Sequence, residues 1–185
     1  MDDKDLFQIE IIKTKEREIK DAHIKYYEIV LPYKINSNSE YCGFDPGTRN
    51  FGIAVLRGDT GVIYQIAINT SRDPVYRLTY TINILKNINC VTKGSTVTIE
   101  GAAFRGGFSQ QELAEMRATI ALYSMKYAKL IMFAAPMSIR KLVFGHGRTK
   151  PQEVWKGLPN DALAALSCAY YGYKKENMDD TKKDR

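Results

Sequence analysis

From residue 41 onward, short apolar runs alternate with turn-forming residues, and the spacing then changes to a helical one. Residues 42–45, 51–56 and 62–68 are apolar runs of strand length, separated by Pro46-Gly47 and by Gly58-Asp59-Thr60-Gly61. Successive runs joined by such turns predict a three-stranded antiparallel meander. Asp73-Pro74 has the form of a helix start, with Asp as N-cap and Pro at the first helical position. Val75, Leu78, Ile82 and Leu85 recur at helical spacing and predict the buried face of that helix. Thr96–Glu100 is a β-branched strand ending in an acid. Ser109-Gln110-Gln111-Glu112 has the capping-box pattern and predicts a helix to about Lys129, with Leu113, Met116 and Ile120 inward. Leu130–Ala134 reads as a short strand, residues 136–145 as a helix, and Asn160-Asp161 as the start of a last helix reaching about Tyr173.

The predicted order is β-β-β-α-β-α-β-α-α. A meander followed by alternating helices and strands implies an α/β fold with a mixed five-stranded sheet and helices on both faces. Upstream, residues 7–12 and 26–31 could each form a strand, and the polar run Asn36-Ser37-Asn38-Ser39 is a candidate boundary. The reading is therefore an extension of unassigned role (1–40), one folded domain (41–173) and a charged, flexible tail (174–185).

Charge adds a partner class. Of 185 residues, 27 are Lys or Arg and 21 Asp or Glu, a net charge of +6. The excess falls within residues 25–173, which hold 17 basic and 10 acidic side chains. Residues 129–156 hold Lys129, Arg140, Lys141, Arg148, Lys150 and Lys156 against the single acid Glu153. Such an imbalance suits a polyanion, because each neutralised phosphate releases counterions; a solvated basic surface is the plainer alternative. No apolar run approaches the roughly 20 residues of a membrane helix, and the acidic start lacks the features of a secretory signal. Three cysteines without metal spacing predict reduced thiols, hence an intracellular, soluble protein.

Three acids have the same setting. Asp45 ends the first strand of the meander, Glu100 ends the fourth strand, and Asp161 begins the last helix. If those strands are neighbours, the three carboxylates converge at one end of the sheet. Crowded carboxylates repel and hold their protons unless a cation neutralises them, and hard oxygen donors favour Mg2+ or Mn2+. Two such ions can activate a water and stabilise the leaving oxygen of a phosphodiester. Each acid also has a plainer reading: Asp45 can simply make the Pro-Gly turn, and Asp161 can complement a helix dipole.

These residues carry a resemblance. Gly43-Phe44-Asp45-Pro46-Gly47-Thr48-Arg49-Asn50-Phe51-Gly52 resembles the first motif of RuvC-type Holliday-junction resolvases, of the ribonuclease-H-like superfamily. Thr98-Ile99-Glu100 resembles their second motif, residues 136–150 their glycine-spaced basic segment, and Asn160-Asp161-Ala162-Leu163-Ala164 their last motif. The resemblance implies a ribonuclease-H-like sheet and a homodimer that binds four-way DNA junctions and nicks two strands symmetrically. It implies Asp45, Glu100 and Asp161 as ligands of two Mg2+ ions, for which Mn2+ can substitute. It also implies Lys150 near the scissile phosphate, where an ammonium offsets developing charge. One position departs from the pattern: Leu158 stands where the family usually has an acid, three residues before the last Asp. Glu153, Asn160 or His146 are the candidate substitutes.

Arg105-Gly106-Gly107-Phe108 follows Glu100 closely. A glycine pair beside a cation and two aromatics suits a loop that enters distorted DNA, with Phe104 as the wedge; the alternative is a plain linker with one Phe in the core. Arg140, Lys141 and Arg148 join Arg105 and Lys150 as expected DNA contacts. Trp155 is expected beneath the last helix. Ala114, Met116, Ala118, Ala121 and Met125 suit either a dimer contact or the monomer core. Three functions stay open: a junction-resolving endonuclease, a junction-binding protein with weakened catalysis because of Leu158, and a nuclease for structured RNA. An actin-like kinase is excluded, because 185 residues do not supply two nucleotide-clasping lobes.

Overall fold

The computed structural model describes residues 9–19, 22–32, 34–35, 38–68, 73–101 and 109–183. The elements run β1 (Glu10–Ile19), β2 (Ala22–Val30), β3 (Glu40–Asp45), β4 (Asn50–Arg57), β5 (Thr60–Ile68), α1 (Pro74–Ile88), β6 (Thr96–Glu100), α2 (Ser109–Ser124), β7 (Leu130–Ala134), α3 (Pro136–Phe144), α4 (Pro151–Val154) and α5 (Asn160–Lys183). One sheet holds all the strands in the order β1-β2-β5-β4-β3-β6-β7. The meander β3-β4-β5 is antiparallel, and β6 and β7 join β3 in parallel.

The sheet has seven strands rather than five. Residues 22–30 alternate buried and half-buried positions and pair with β5 along its length, from Ala22 opposite Ile68 to Val30 opposite Thr60. β1 closes the new edge as the outer arm of a hairpin. The sequence marked strands over residues 7–12 and 26–31; the charged run 13–18 hides how far β1 extends, and the same charges blunt an edge strand against pairing with other chains.

Alternation along the strands builds two cores, one on each face. Phe44, Phe51, Ile53 and Ile66 are fully buried against Tyr80, Ile84 and Leu85 of α1 and Ile120 and Tyr123 of α2. Tyr27, Ile29, Ala54, Leu56 and Ile63 point the other way, against Ile139 and Val143 of α3, Trp155, and Leu163, Leu166 and Tyr170 of α5. Each fully buried Ile or Phe contributes on the order of 1.5–3 kcal/mol. Trp155 stacks on Tyr170 at 5.4 Å and meets Phe144 edge-on at 5.0 Å, beneath the last helix as expected.

Three local expectations are corrected. In α1 the Asp73 carboxylate accepts from the Val75 N–H at 2.9 Å, as its N-cap role requires, but Val75 is 71% exposed. The helix is rotated so that Arg77, Tyr80, Thr81, Ile84 and Leu85 face inward. Arg77 tolerates burial because Glu112 and Glu115 of α2 pair with it at 3.3 and 3.4 Å. α2 stops at Ser124, short of Lys129, because the chain turns there and the Lys129 N–H bonds the Ser95 carbonyl at 2.9 Å to start β7. α5 continues through the segment expected to be a flexible tail, to Lys183. Glu176 ties its later turns to the sheet, accepting from Thr96 Oγ1 at 2.8 Å and pairing with Lys129.

Helix α5 lies unusually close to the sheet. A Cβ at Gly43 would overlap the Ala165 carbonyl oxygen and the Ala169 nitrogen. At Gly52 it would overlap the Asp161 carbonyl oxygen. The missing side chains on β3 and β4 let the helix backbone settle on the strands.

Candidate active site

The sheet topology brings two of the acids together directly. β3 and β6 are parallel neighbours with Phe44 opposite Ile99, so the next residues, Asp45 and Glu100, end adjacent strands on one face. Their carboxyl groups interact, which favours the protonated form of Asp45. Burial, then Glu100, then Asp161 push Asp45 up to about 9, and the nearby Arg117 guanidinium opposes them. The third acid, Asp161, acts on Asp45 through space. It is set by α5, whose first turn rests on Gly52, the register partner of Asp45. Burial raises Asp161, and a hydrogen bond from the Gln65 side chain offsets part of the rise.

Gln65 and Arg117 are site residues that the sequence reading missed. Gln65 sits on β5 opposite Gly52, in the row that runs from Lys25 through Gln65 and Gly52 to Asp45. Its signal was a lone amide inside an otherwise apolar strand. Arg117 donates through Nε to the Glu100 carbonyl at 2.8 Å and through Nη2 to the Gly101 carbonyl at 3.3 Å. It fixes the end of β6 and sets a cation beside two acids. Burial lowers its pKa, while Glu100 and Asp45 raise it. Its signal was a cation on the inward stripe of Leu113, Met116 and Ile120.

Among the described residues, no group of three or more His, Cys, Asp or Glu side chains stands close enough to hold a metal ion. The donor set nevertheless suits a hard divalent cation: carboxylate oxygens at neighbouring strand ends, where the charge of Glu100 favours a proton on Asp45 that a cation would displace. Leu158 is a core residue, 9% exposed, in the same cluster as Trp155 and Leu163. Of the candidate substitutes for its missing acid, Glu153 accepts from the Lys150 N–H at 3.1 Å and His146 Nδ1 accepts from the Arg148 N–H at 3.2 Å. Asn160 opens α5 and is exposed.

The basic segment forms its own surface. Lys141, His146 and Arg148, with Met137 and Ser138, line an open cavity of about 390 Å3 at the C-terminal end of α3. Gly145 ends that helix with a φ of +78°, which glycine alone adopts readily. Arg140 is half-buried on α3, and Lys150 is exposed at the start of α4. The largest charge effects on Asp45 come from Glu100, Asp161 and Arg117. Phe104, Arg105, Gly106, Gly107 and Phe108 lie outside the described residues.

A mixed sheet with this strand order and helices packed on both faces is a ribonuclease-H-like architecture. The particular likeness is to RuvC. The chain superimposes on RuvC of Thermus thermophilus with a TM-score of 0.54 and 15% identity, over 76% of this chain and 96% of that one. It also superimposes on T. thermophilus RuvC in complex with a Holliday junction substrate, with a TM-score of 0.56, 14% identity and the same coverage. The fold is RuvC-like. No protein-family model and no curated protein sequence matches the chain. Among the described residues, no helix is long and apolar enough to cross a membrane. All three cysteines, Cys42, Cys90 and Cys168, are buried and unbridged.

Proposed function

We propose that this protein is a structure-selective endonuclease that resolves four-way DNA junctions by metal-dependent phosphodiester hydrolysis, acting as a homodimer that makes paired symmetric nicks. What supports the reading is that Asp45 and Glu100 end paired parallel strands while the charges of Glu100 and Asp161 both act on Asp45, an arrangement that a cation would relieve. Asp45, Glu100 and Asp161 would hold Mg2+ or Mn2+, two ions per site. When bound, these ions supply a more acidic water and Lewis acidity at the leaving oxygen.

The chain's own residues do the rest. The Gln65 amide holds Asp161 in place. Arg117 fixes the strand end that presents Glu100. Lys150 offsets charge on the scissile phosphate, while Arg140, Lys141 and Arg148 hold the DNA backbone. Water attacks phosphorus, one P–O bond to a deoxyribose oxygen breaks, that oxygen leaves as a hydroxyl and the other fragment keeps the phosphate, with no covalent enzyme intermediate. Phe104 and Arg105, which lie outside the described residues, are the proposed wedge that keeps the junction open. A second copy docks on the outer face of α1 and α2, where Leu78, Ile82 and Leu122 line a cavity of about 440 Å3. Leu122 is 65% exposed there, whereas Met116 is spent in the monomer core.

The test compares nicking of a synthetic four-way junction with that of a linear duplex, with and without Mg2+. Junction-selective, Mg2+-dependent cutting that Asp45→Asn abolishes while junction binding survives is the expected result. Equal cutting of both substrates, or none of either, counts against the reading. Burial of Leu158 in the core favours a second reading, a junction-binding protein with weakened catalysis. Tight junction binding without nicking in Mg2+ or Mn2+ selects it.

A further inference from the structure

The N-terminal hairpin sorts its charges by sign. In the register of β1 with β2, Lys13, Lys15 and Arg17 stand on one face, opposite Glu28, Tyr26 and Ile24. Glu16 and Glu18 stand on the other, opposite Lys25 and His23. The acids are matched there: Glu16 pairs with Lys25 at 2.8 Å, and His23 lies against both acids. On the basic face Glu28 matches Lys13 at 3.1 Å, which leaves Lys15 and Arg17 as the cationic pair. Blunting of an edge strand explains charge on β1, but it does not require this separation of signs.

The basic face runs into a cavity. Along the strand it continues from Arg17 to Ile19, which, with Tyr76, Tyr80, Asn83 and Asn87 of α1, lines a cleft of about 320 Å3. The Tyr76 and Tyr80 rings stack at 6.0 Å with planes 3° apart, and Tyr76 is 37% exposed. Beside the cations, Tyr26 lies against Tyr64 at 6.0 Å. An exposed aromatic ring, Tyr76, amides able to meet a base edge, and cations spaced along a strand are the parts of a platform for an unpaired nucleic-acid strand. Ile24 and Ile66 share this face with the α1–α2 core, so the cleft lies on the opposite side of the sheet from Asp45 and Asp161.

We infer that the cleft between the β1–β2 hairpin and α1 binds single-stranded DNA, with phosphates along Lys15 and Arg17 and a base against Tyr76. The site is separate from the three acids and needs no metal, so it stands or falls independently of the nuclease reading.

The experiment measures binding of fluorescein-labelled oligo(dT) to the full chain by anisotropy in EDTA, across a salt series. The double variant Lys15→Glu/Arg17→Glu should bind about tenfold or more weakly, with the log–log salt slope shallower by about 1.4, roughly 0.7 for each phosphate no longer neutralised. Tyr76→Ala should weaken binding about tenfold with the slope unchanged, and Tyr76→Phe should retain it, because stacking needs the ring and not the hydroxyl. Lys34→Glu/Lys93→Glu, at exposed positions elsewhere, should bind as wild type does. Unchanged affinity and slope in the Lys15/Arg17 variant, or an equal loss in the Lys34/Lys93 control, overturns the inference. Thermal melts of each variant distinguish impaired binding from impaired folding.

Discussion

The carbonyl of Asp161 occupies the place where a Cβ of residue 52 would stand. Gly52 is also the cross-strand partner of Asp45. One missing side chain therefore sets the distance between the helix that carries one acid and the strand that carries another. Gly52→Ala should push the first turn of α5 off the sheet. Single-turnover nicking should fall about a hundredfold, since catalytic groups displaced by an ångström lose that much. Stability should fall by about 1–3 kcal/mol from overpacking, and junction binding should persist. Wild-type nicking by a folded Gly52→Ala protein would show that the close approach does not matter.

Asp45 makes stability depend on pH in a direction opposite to that of a salt-bridged acid. Its pKa rises from 3.8 to about 9 in the fold. Between those values the folded chain keeps a proton that the unfolded chain has lost, so metal-free stability declines as pH rises and levels off above about 9. Below about pH 4 both states are protonated and the contribution vanishes. Asp45→Asn removes the penalty. It should match wild type near pH 4 and exceed it at pH 8 by on the order of 1–3 kcal/mol, as read from urea melts in EDTA. Parallel stability curves for the two proteins would contradict the raised pKa of Asp45.

Metal binding should reverse that penalty. A cation that binds the folded acids and not the unfolded chain adds about 2.7 kcal/mol at a hundred times its dissociation constant. Mg2+ should therefore raise the melting temperature of wild type and leave that of Asp45→Asn unchanged. An equal rise in both would place the ion elsewhere.

Leu158→Asp restores the acid of the resolvase pattern but should not restore a ligand. The position is buried in the cluster of Trp155 and Leu163. An unpaired carboxylate there should cost about 2–4 kcal/mol without raising the nicking rate. Faster nicking at an unchanged melting temperature would show that residue 158 faces the ions after all.

The neighbouring placement of Asp45 and Glu100 was legible because each ends an apolar strand, and the ends of parallel neighbours gather at one end of a sheet. Gln65 and Arg117 were not. An amide in a strand and an arginine in a helix become informative only when the neighbours opposite them are known. Val75 misled for a related reason. Its spacing fitted an apolar face, yet Arg77, held by Glu112 and Glu115, takes the inward position. Ion pairing between helices outweighed the apolar pattern, and no single-helix periodicity contains that information.

The sequence by itself determined the meander, the helix starts at Asp73 and Asn160, and the strands that end in Asp45 and Glu100, because local turn chemistry and side-chain periodicity act over a few residues. Only the tertiary structure decided that the charged hairpin 10–30 extends the sheet to seven strands, that Leu158 is core, and that Gly43 and Gly52 bring α5 down onto β3 and β4. Those outcomes depend on register and on backbone contact between segments far apart in the chain, and such contacts leave no periodic trace in the sequence.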